Sequence, residues 1–134
     1  MPQIEAVAFR SDISAPPTPK APIKPNIAQV QAYVRAQAIE NGINPVIALF
    51  IVAHESQNGT NLVGKEPNGT VSYGYWQFND ANPDFNYSCA MDLTCSTMLA
   101  MDWLKAGKWN AWTTWANRCS WFPYDHPPNC PVDN

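Results

Sequence analysis

The sequence predicts an α+β fold, mainly α, with a small β-hairpin lobe. Two apolar stretches at helical spacing, 27–38 and 45–56, each follow directly on an asparagine. A turn-rich, glycine-containing segment then leads into the β-rich run Val71 to Phe78, and a third amphipathic stretch follows from Ser96. A length of 134 residues suits one domain with a real core and is short for two.

The first 25 residues read as a proline-rich tail or linker. "SAPPTPKAPIKP" holds five of the 13 prolines, and no glycine occurs before Gly42. Such a segment is either an extended, semi-rigid spacer or a tail without function. The folded domain is expected over 26–134. Asn26 caps a first helix whose Ile27, Val30, Val34 and Ala38 share one face, with Gly42 as its stop. Asn44 caps a second helix, with Pro45 in the first turn, where a missing N–H costs nothing. This helix, "PVIALFIVAHES", is apolar almost all round, which predicts a buried central helix carrying Glu55 in its last turn.

"PNGT" at 67–70 is a turn signal, and the residues after it predict a small hairpin or sheet. In "STMLAMDWLKAG", Ser96 is the expected cap of a third helix. Met98, Leu99, Met101 and Leu104 are expected inward, with Gly107 as terminator. A fourth helix is expected over 110–118, followed by a proline-rich strap to the C-terminus.

Composition narrows the function. A net charge of −3 and a pI near 5.1 leave no basic footprint, so no nucleic-acid partner is expected. Charged residues make up only 14% against 12% aromatics, a balance suited to a neutral ligand held by stacking and hydrogen bonds, such as a glycan. No apolar run reaches the roughly 18–20 residues that span a bilayer. "MPQIEAVAFRSD" lacks the apolar core of a secretory signal. No metal or organic cofactor is expected.

Cys89, Cys95, Cys119 and Cys130 do not follow the close pair spacing of zinc sites. Four cysteines allow three pairings. Cys89–Cys95 and Cys119–Cys130 are favoured because each closes a short local loop, and four reduced thiols are the alternative. Disulfides would imply an oxidising compartment outside the cytoplasm.

The chemistry concentrates on Glu55, on "SYGYWQFN" from Ser72 to Asn79, and on "KWNAWTTWANRC" from Lys108 to Cys119. A carboxyl on a buried helix facing an aromatic hairpin is a way to hold a general acid in a sugar-binding cleft, which suggests a polysaccharide-cutting enzyme.

Those residues resemble the lysozyme superfamily. "NGTVSYGYWQFN" and "WNAWTTWANRC" are similar to c-type lysozymes, and the "ES" and "GYWQF" pair is similar to bacterial lytic transglycosylases. The compact layout resembles resuscitation-promoting factors as well. The resemblance is strong over 53–119 and looser from Asn26. It implies a lysozyme-like domain in which Glu55 is the general acid, Trp112 the wall beside it, and Gln77 the residue that positions the sheet. Ser72, Tyr73, Tyr75, Trp76 and Asn79 complete the expected substrate-binding set, with core packing the alternative for Tyr75 and Trp76.

One departure stands out. At the position of Ser72 the c-type hairpin carries a second carboxylate. Glu66, Asp80 and Asp84 lie nearby, each as a possible assistant or an ordinary turn residue. A single carboxylate matches the lytic transglycosylases, in which one Glu serves as acid and then base while the sugar's own 6-hydroxyl attacks. The resemblance therefore implies a monomeric peptidoglycan-cleaving muramidase acting on glycan strands, foremost a lytic transglycosylase. A hydrolytic lysozyme, a chitin-cleaving relative and a non-catalytic glycan-binding module are the alternatives. The proline-rich arm would tether such a domain to a secretion machine, a phage particle or an upstream anchor.

Overall fold

The structure, a computed structural model, describes Ala21 and residues 24–117. The proline-rich tail before Ala21, the C-terminal strap and the expected Cys119–Cys130 pair lie outside the described residues. Within them the fold is α+β and mainly helical, with five α-helices and one three-stranded antiparallel sheet.

Helix α1 spans Ile27–Glu40 and starts at a reciprocal cap. Asn26 Oδ1 accepts from the Gln29 N–H at 2.8 Å, and Gln29 Oε1 accepts from the Asn26 N–H at 3.0 Å. Two otherwise orphaned donors are thereby satisfied. Val30, Val34 and Ala38 are fully buried, whereas Ile27, expected on the same face, is 47% exposed at the helix's first position. Helix α2 spans Pro45–Ser56 behind its Asn44 cap, and Ile47, Ala48, Ile51 and Val52 are buried along it. It ends abruptly because Gln57 and Asn58 both take left-handed backbone angles.

The sheet orders β1 (Val63–Lys65), β2 (Val71–Tyr73) and β3 (Phe78–Asn79) in sequence. Gly64 faces Ser72, and Ser72 faces Asn79. The 67–70 turn joins β1 to β2 as expected. The run Val71 to Phe78 makes the expected hairpin: β2 ends after Tyr73 at Gly74, whose φ is +89°, and β3 pairs back on it. A Cβ on Gly74 would sit 1.7 Å from the Ala90 carbonyl oxygen. Only glycine allows the turn and the close approach together.

Helix α3 (Tyr87–Met91), not expected from the sequence, is capped by Asn86. Helix α4 spans Leu93–Lys105, and its cap is Asp92 rather than the expected Ser96. The Asp92 carboxylate accepts from the Cys95 N–H at 2.7 Å. Ser96 sits inside the first turn and donates back to the Asp92 carbonyl. Small polar residues Ser96 and Thr97 occupy the buried face with Leu93, Ala100, Met101 and Leu104. That face leaves Met98, expected inward, 57% exposed. The expected helix over 110–118 divides into a 3-10 turn, Trp109–Ala111, and a short α5, Thr113–Ala116, on either side of an extended Trp112. Cys89 and Cys95 form the favoured disulfide, which ties α3 to α4.

The core runs from Val30, Val34 and Ile51 to a tryptophan layer in which Trp76 and Trp112 lie 5.8 Å apart. Two indole hydrogen bonds lock the sheet side to the helices. Trp112 Nε1 donates to the Trp76 carbonyl at 2.8 Å, and Trp76 Nε1 donates to Thr97 Oγ1 at 3.0 Å. Ala21 also packs on this body, donating its N–H to Thr94 Oγ1. No helix among the described residues is long and apolar enough to cross a membrane.

Candidate active site

Glu55 stands in the last turn of α2, where the helix leaves the core, and its side chain is half-buried. Thr114 Oγ1 donates to Glu55 Oε2 at 2.5 Å, so the carboxyl is fixed between α2 and α5. Burial raises its pKa above the ordinary carboxylate value, because the charged form loses solvation. The Thr114 hydroxyl acts against that rise, the Glu66 charge adds to it, and the Thr114 backbone N–H opposes it more weakly. The net direction is upward. A carboxyl that holds its proton longer is equipped to act as a general acid.

The carboxyl opens into a cavity of about 520 Å³, within the range of small-ligand sites. Glu55, Ala111, Trp112, Thr113 and Thr114 line it from the helices. Glu66, Pro67, Asn68, Thr70, Ser72, Gln77 and Asn79 line it from the sheet and its turns. Asn79 and Ala111 also line a second cavity of about 910 Å³, so the two adjoin. Phe78, Leu99 and Trp103 give this second cavity an apolar floor, and Asn82, Asp84, Asp102 and Lys108 give it a polar rim.

Of the residues expected to bind substrate, Ser72, Gln77, Asn79 and Trp112 share the cavity with Glu55. Trp112 is 3% exposed and forms part of the wall while its ring packs on Trp76, Phe78 and Trp103. Gln77, at a left-handed φ of 53°, donates from Nε2 to the Leu62 and Gly74 carbonyls and thereby closes the β2–β3 connection.

The other three stand elsewhere. Tyr73 follows Ser72 on β2, and strand alternation sends it to the opposite face, where its ring packs on Phe85 and Tyr87. Trp76 is fully buried and has no surface to offer a sugar. Tyr75 is 8% exposed, with its ring pressed against Gly59 beyond the end of α2. For both, the core reading of their aromatic bulk prevails.

Among the three nearby acids, only Glu66 reaches the Glu55 cavity. Asp80 is exposed and accepts from the Val71 N–H at 3.1 Å, and Asp84 lies on the rim of the second cavity. Thr114 carries no motif in the sequence; its signal is a hydroxyl residue two places after Trp112, in a helix short enough to lean on the end of α2. Asn68 and Thr70 belong to the 67–70 turn and also line the cavity.

No group of three or more His, Cys, Asp or Glu side chains able to hold a metal occurs among the described residues. The chain matches no protein-family model and no curated protein sequence.

Proposed function

We propose that this chain is a muramidase on a lysozyme-like fold, cutting the MurNAc-β-1,4-GlcNAc bond of peptidoglycan with Glu55 as general acid. The observation that supports this best is the state of Glu55: a half-buried carboxyl of raised pKa opening into a groove walled by Trp112. In that role Glu55 gives its proton to the glycosidic oxygen as the C1–O bond opens. Asn68, Thr70, Gln77 and Asn79 give the cavity a neutral polar lining suited to hydroxyls and acetamido groups, and Trp112 forms part of its wall.

Two fates of the sugar follow. In lytic transglycosylation Glu55 takes up a proton again as the sugar's own 6-hydroxyl closes an anhydro ring, and no second carboxylate is used. Glu66 in the same cavity is the observation that favours a second reading, hydrolysis. The Cys89–Cys95 disulfide is consistent with action outside the cytoplasm, where the glycan strands lie.

Digestion of purified peptidoglycan by the wild-type chain and by Glu55→Gln, with mass spectrometry of the products, tests the reading. Soluble muropeptides from the wild type alone are expected. Release by both proteins would remove Glu55 from the chemistry, and release by neither would leave a glycan-binding module.

A further inference from the structure

Glu66 is more than a neighbour of the site. It follows β1, and its backbone is clamped across the turn: its N–H donates to the Thr70 carbonyl at 2.9 Å, and its carbonyl accepts from Gly69 at 3.1 Å. Strand alternation places Gly64 and Glu66 on one face with Thr70 and Ser72 of the facing arm.

A run of hydrogen bonds crosses that face and ends on the carboxylate. Asn79 Nδ2 donates to Thr70 Oγ1 at 2.8 Å and to Ser72 Oγ at 3.1 Å. Thr70 Oγ1 donates to Asn68 Oδ1 at 2.7 Å, and Ser72 Oγ donates to Glu66 Oε2 at 2.8 Å. The direction is set by the donor inventory. The Asn79 amide spends both its protons on the two hydroxyls, so each hydroxyl passes its own proton onward. Ser72 therefore has its proton committed to Glu66, and one oxygen of Glu66 is held as an acceptor. The other carboxyl oxygen has no such tether within the network. Ser72, which cannot replace a carboxylate itself, instead presents one from the adjacent strand end.

We propose that Glu66 is the base of the site, taking a proton from the water that attacks the anomeric carbon, so that the chain hydrolyses its glycan. This rests on the glycan-cleaving reading of Glu55. In the step, the Glu55 proton passes to the glycosidic oxygen as the C1–O bond breaks and its electron pair stays on that oxygen. The water oxygen bonds to C1 and its proton passes to Glu66. Glu55 ends ionised and Glu66 protonated, and solvent exchange restores both. Attack from the side away from the leaving group inverts the anomeric centre, which turns a β-linkage into an α reducing end. Ser72 and Asn79 act as positioning residues.

The test is turnover of a soluble MurNAc–GlcNAc tetrasaccharide in heavy-oxygen water by the full chain, read by mass spectrometry and by NMR of the fresh anomer. The wild type is expected to give heavy-oxygen-labelled α reducing ends. Glu66→Gln is expected to lower turnover about 100- to 10,000-fold while binding the tetrasaccharide as the wild type does. Azide, which attacks without losing a proton, restores cleavage in Glu66→Gln and yields an α-glycosyl azide, a result that a misfolded variant cannot give. Ser72→Ala lowers kcat roughly tenfold with little change in KM, and Ser72→Thr recovers most of it.

A β reducing end from the wild type would overturn the base role. Anhydro ends, or full turnover by Glu66→Gln, would overturn the proposal and leave Glu55-dependent cleavage standing. No cleavage by the wild type would overturn both readings.

Discussion

At the scale of the residue, the burial of Glu55 is set against stability. Its folded pKa is raised chiefly by burial, so the native state keeps a proton that the unfolded chain has released. Stability then falls as pH rises from the unfolded pKa through the folded one. Glu55→Gln removes that loss. The variant is expected to be more stable than the wild type at neutral pH and to match it at low pH, as checked by urea unfolding at several pH values. The same variant is expected to lose glycan-cleaving turnover by about 100-fold or more. Thr114 tunes the acid from the other side, because its hydroxyl bond lowers the Glu55 pKa. In Thr114→Val that restraint is gone and the pKa rises further. A general acid works while protonated, so the alkaline limb of the pH–rate profile is expected to move to higher pH. A limb that stays in place or moves down would mean that Thr114 does not act on the proton of Glu55.

At the scale of the element, the site depends on a break in a strand. Gly74 ends β2, and its positive φ together with the touching Ala90 carbonyl leaves no room for a side chain. Gly74→Ala is expected to cost about 2 kcal/mol or more in chemical denaturation, since both the backbone angle and the contact with α3 must give way. Trp76, two residues on, is fully buried and bonded to Thr97. Trp76→Ala is expected to cost about 3–5 kcal/mol in chemical denaturation. A loss under about 1 kcal/mol would mean that the indole is not an anchor of the core. The elements divide by how local their signals are. Helices α1 and α2 were legible because a cap, a proline and a run of core residues all lie within a few positions. Helix α4 was legible over its later turns, but its first turn and cap were not, since Ser96 and Asp92 are both capping residues and only burial of the Ser96 hydroxyl decides between them. The five-residue α3 has no period to read. Within the site, Glu55 and Trp112 stood out by motif, and Glu66 had no mark beyond proximity in sequence. The role proposed for it depends on strand register and on a hydroxyl pointing across the sheet, and neither is a property of a linear pattern.

At the scale of the whole molecule, the groove lies between helices that carry Glu55 and Thr114 and a sheet that carries Glu66 and Ser72. Its geometry is only as firm as the joint between the two sides. Contacts that make that joint include the Trp112–Trp76 hydrogen bond, the Trp76–Thr97 hydrogen bond, the seat of Gly74 against α3, and the packing of Phe78 on Trp103 and Trp112. The Cys89–Cys95 disulfide supports the third by fastening α3 to α4 across a sequence separation of 6. A helix as short as α3 has little stability of its own, so the covalent tie keeps a surface in place for Gly74 to dock on. Closing so short a loop restricts the unfolded chain by about 2 kcal/mol. For a domain of this size the Cys89→Ser, Cys95→Ser double variant is expected to melt roughly 10 °C lower. Well below that melting point the tryptophan hydrogen bonds remain, so turnover at 20 °C is expected to stay within about twofold of wild type. A drop in activity far larger than the loss of folded protein would place the disulfide in control of the groove itself. Unchanged melting with unchanged activity would mean that the tryptophan layer alone holds the two sides together.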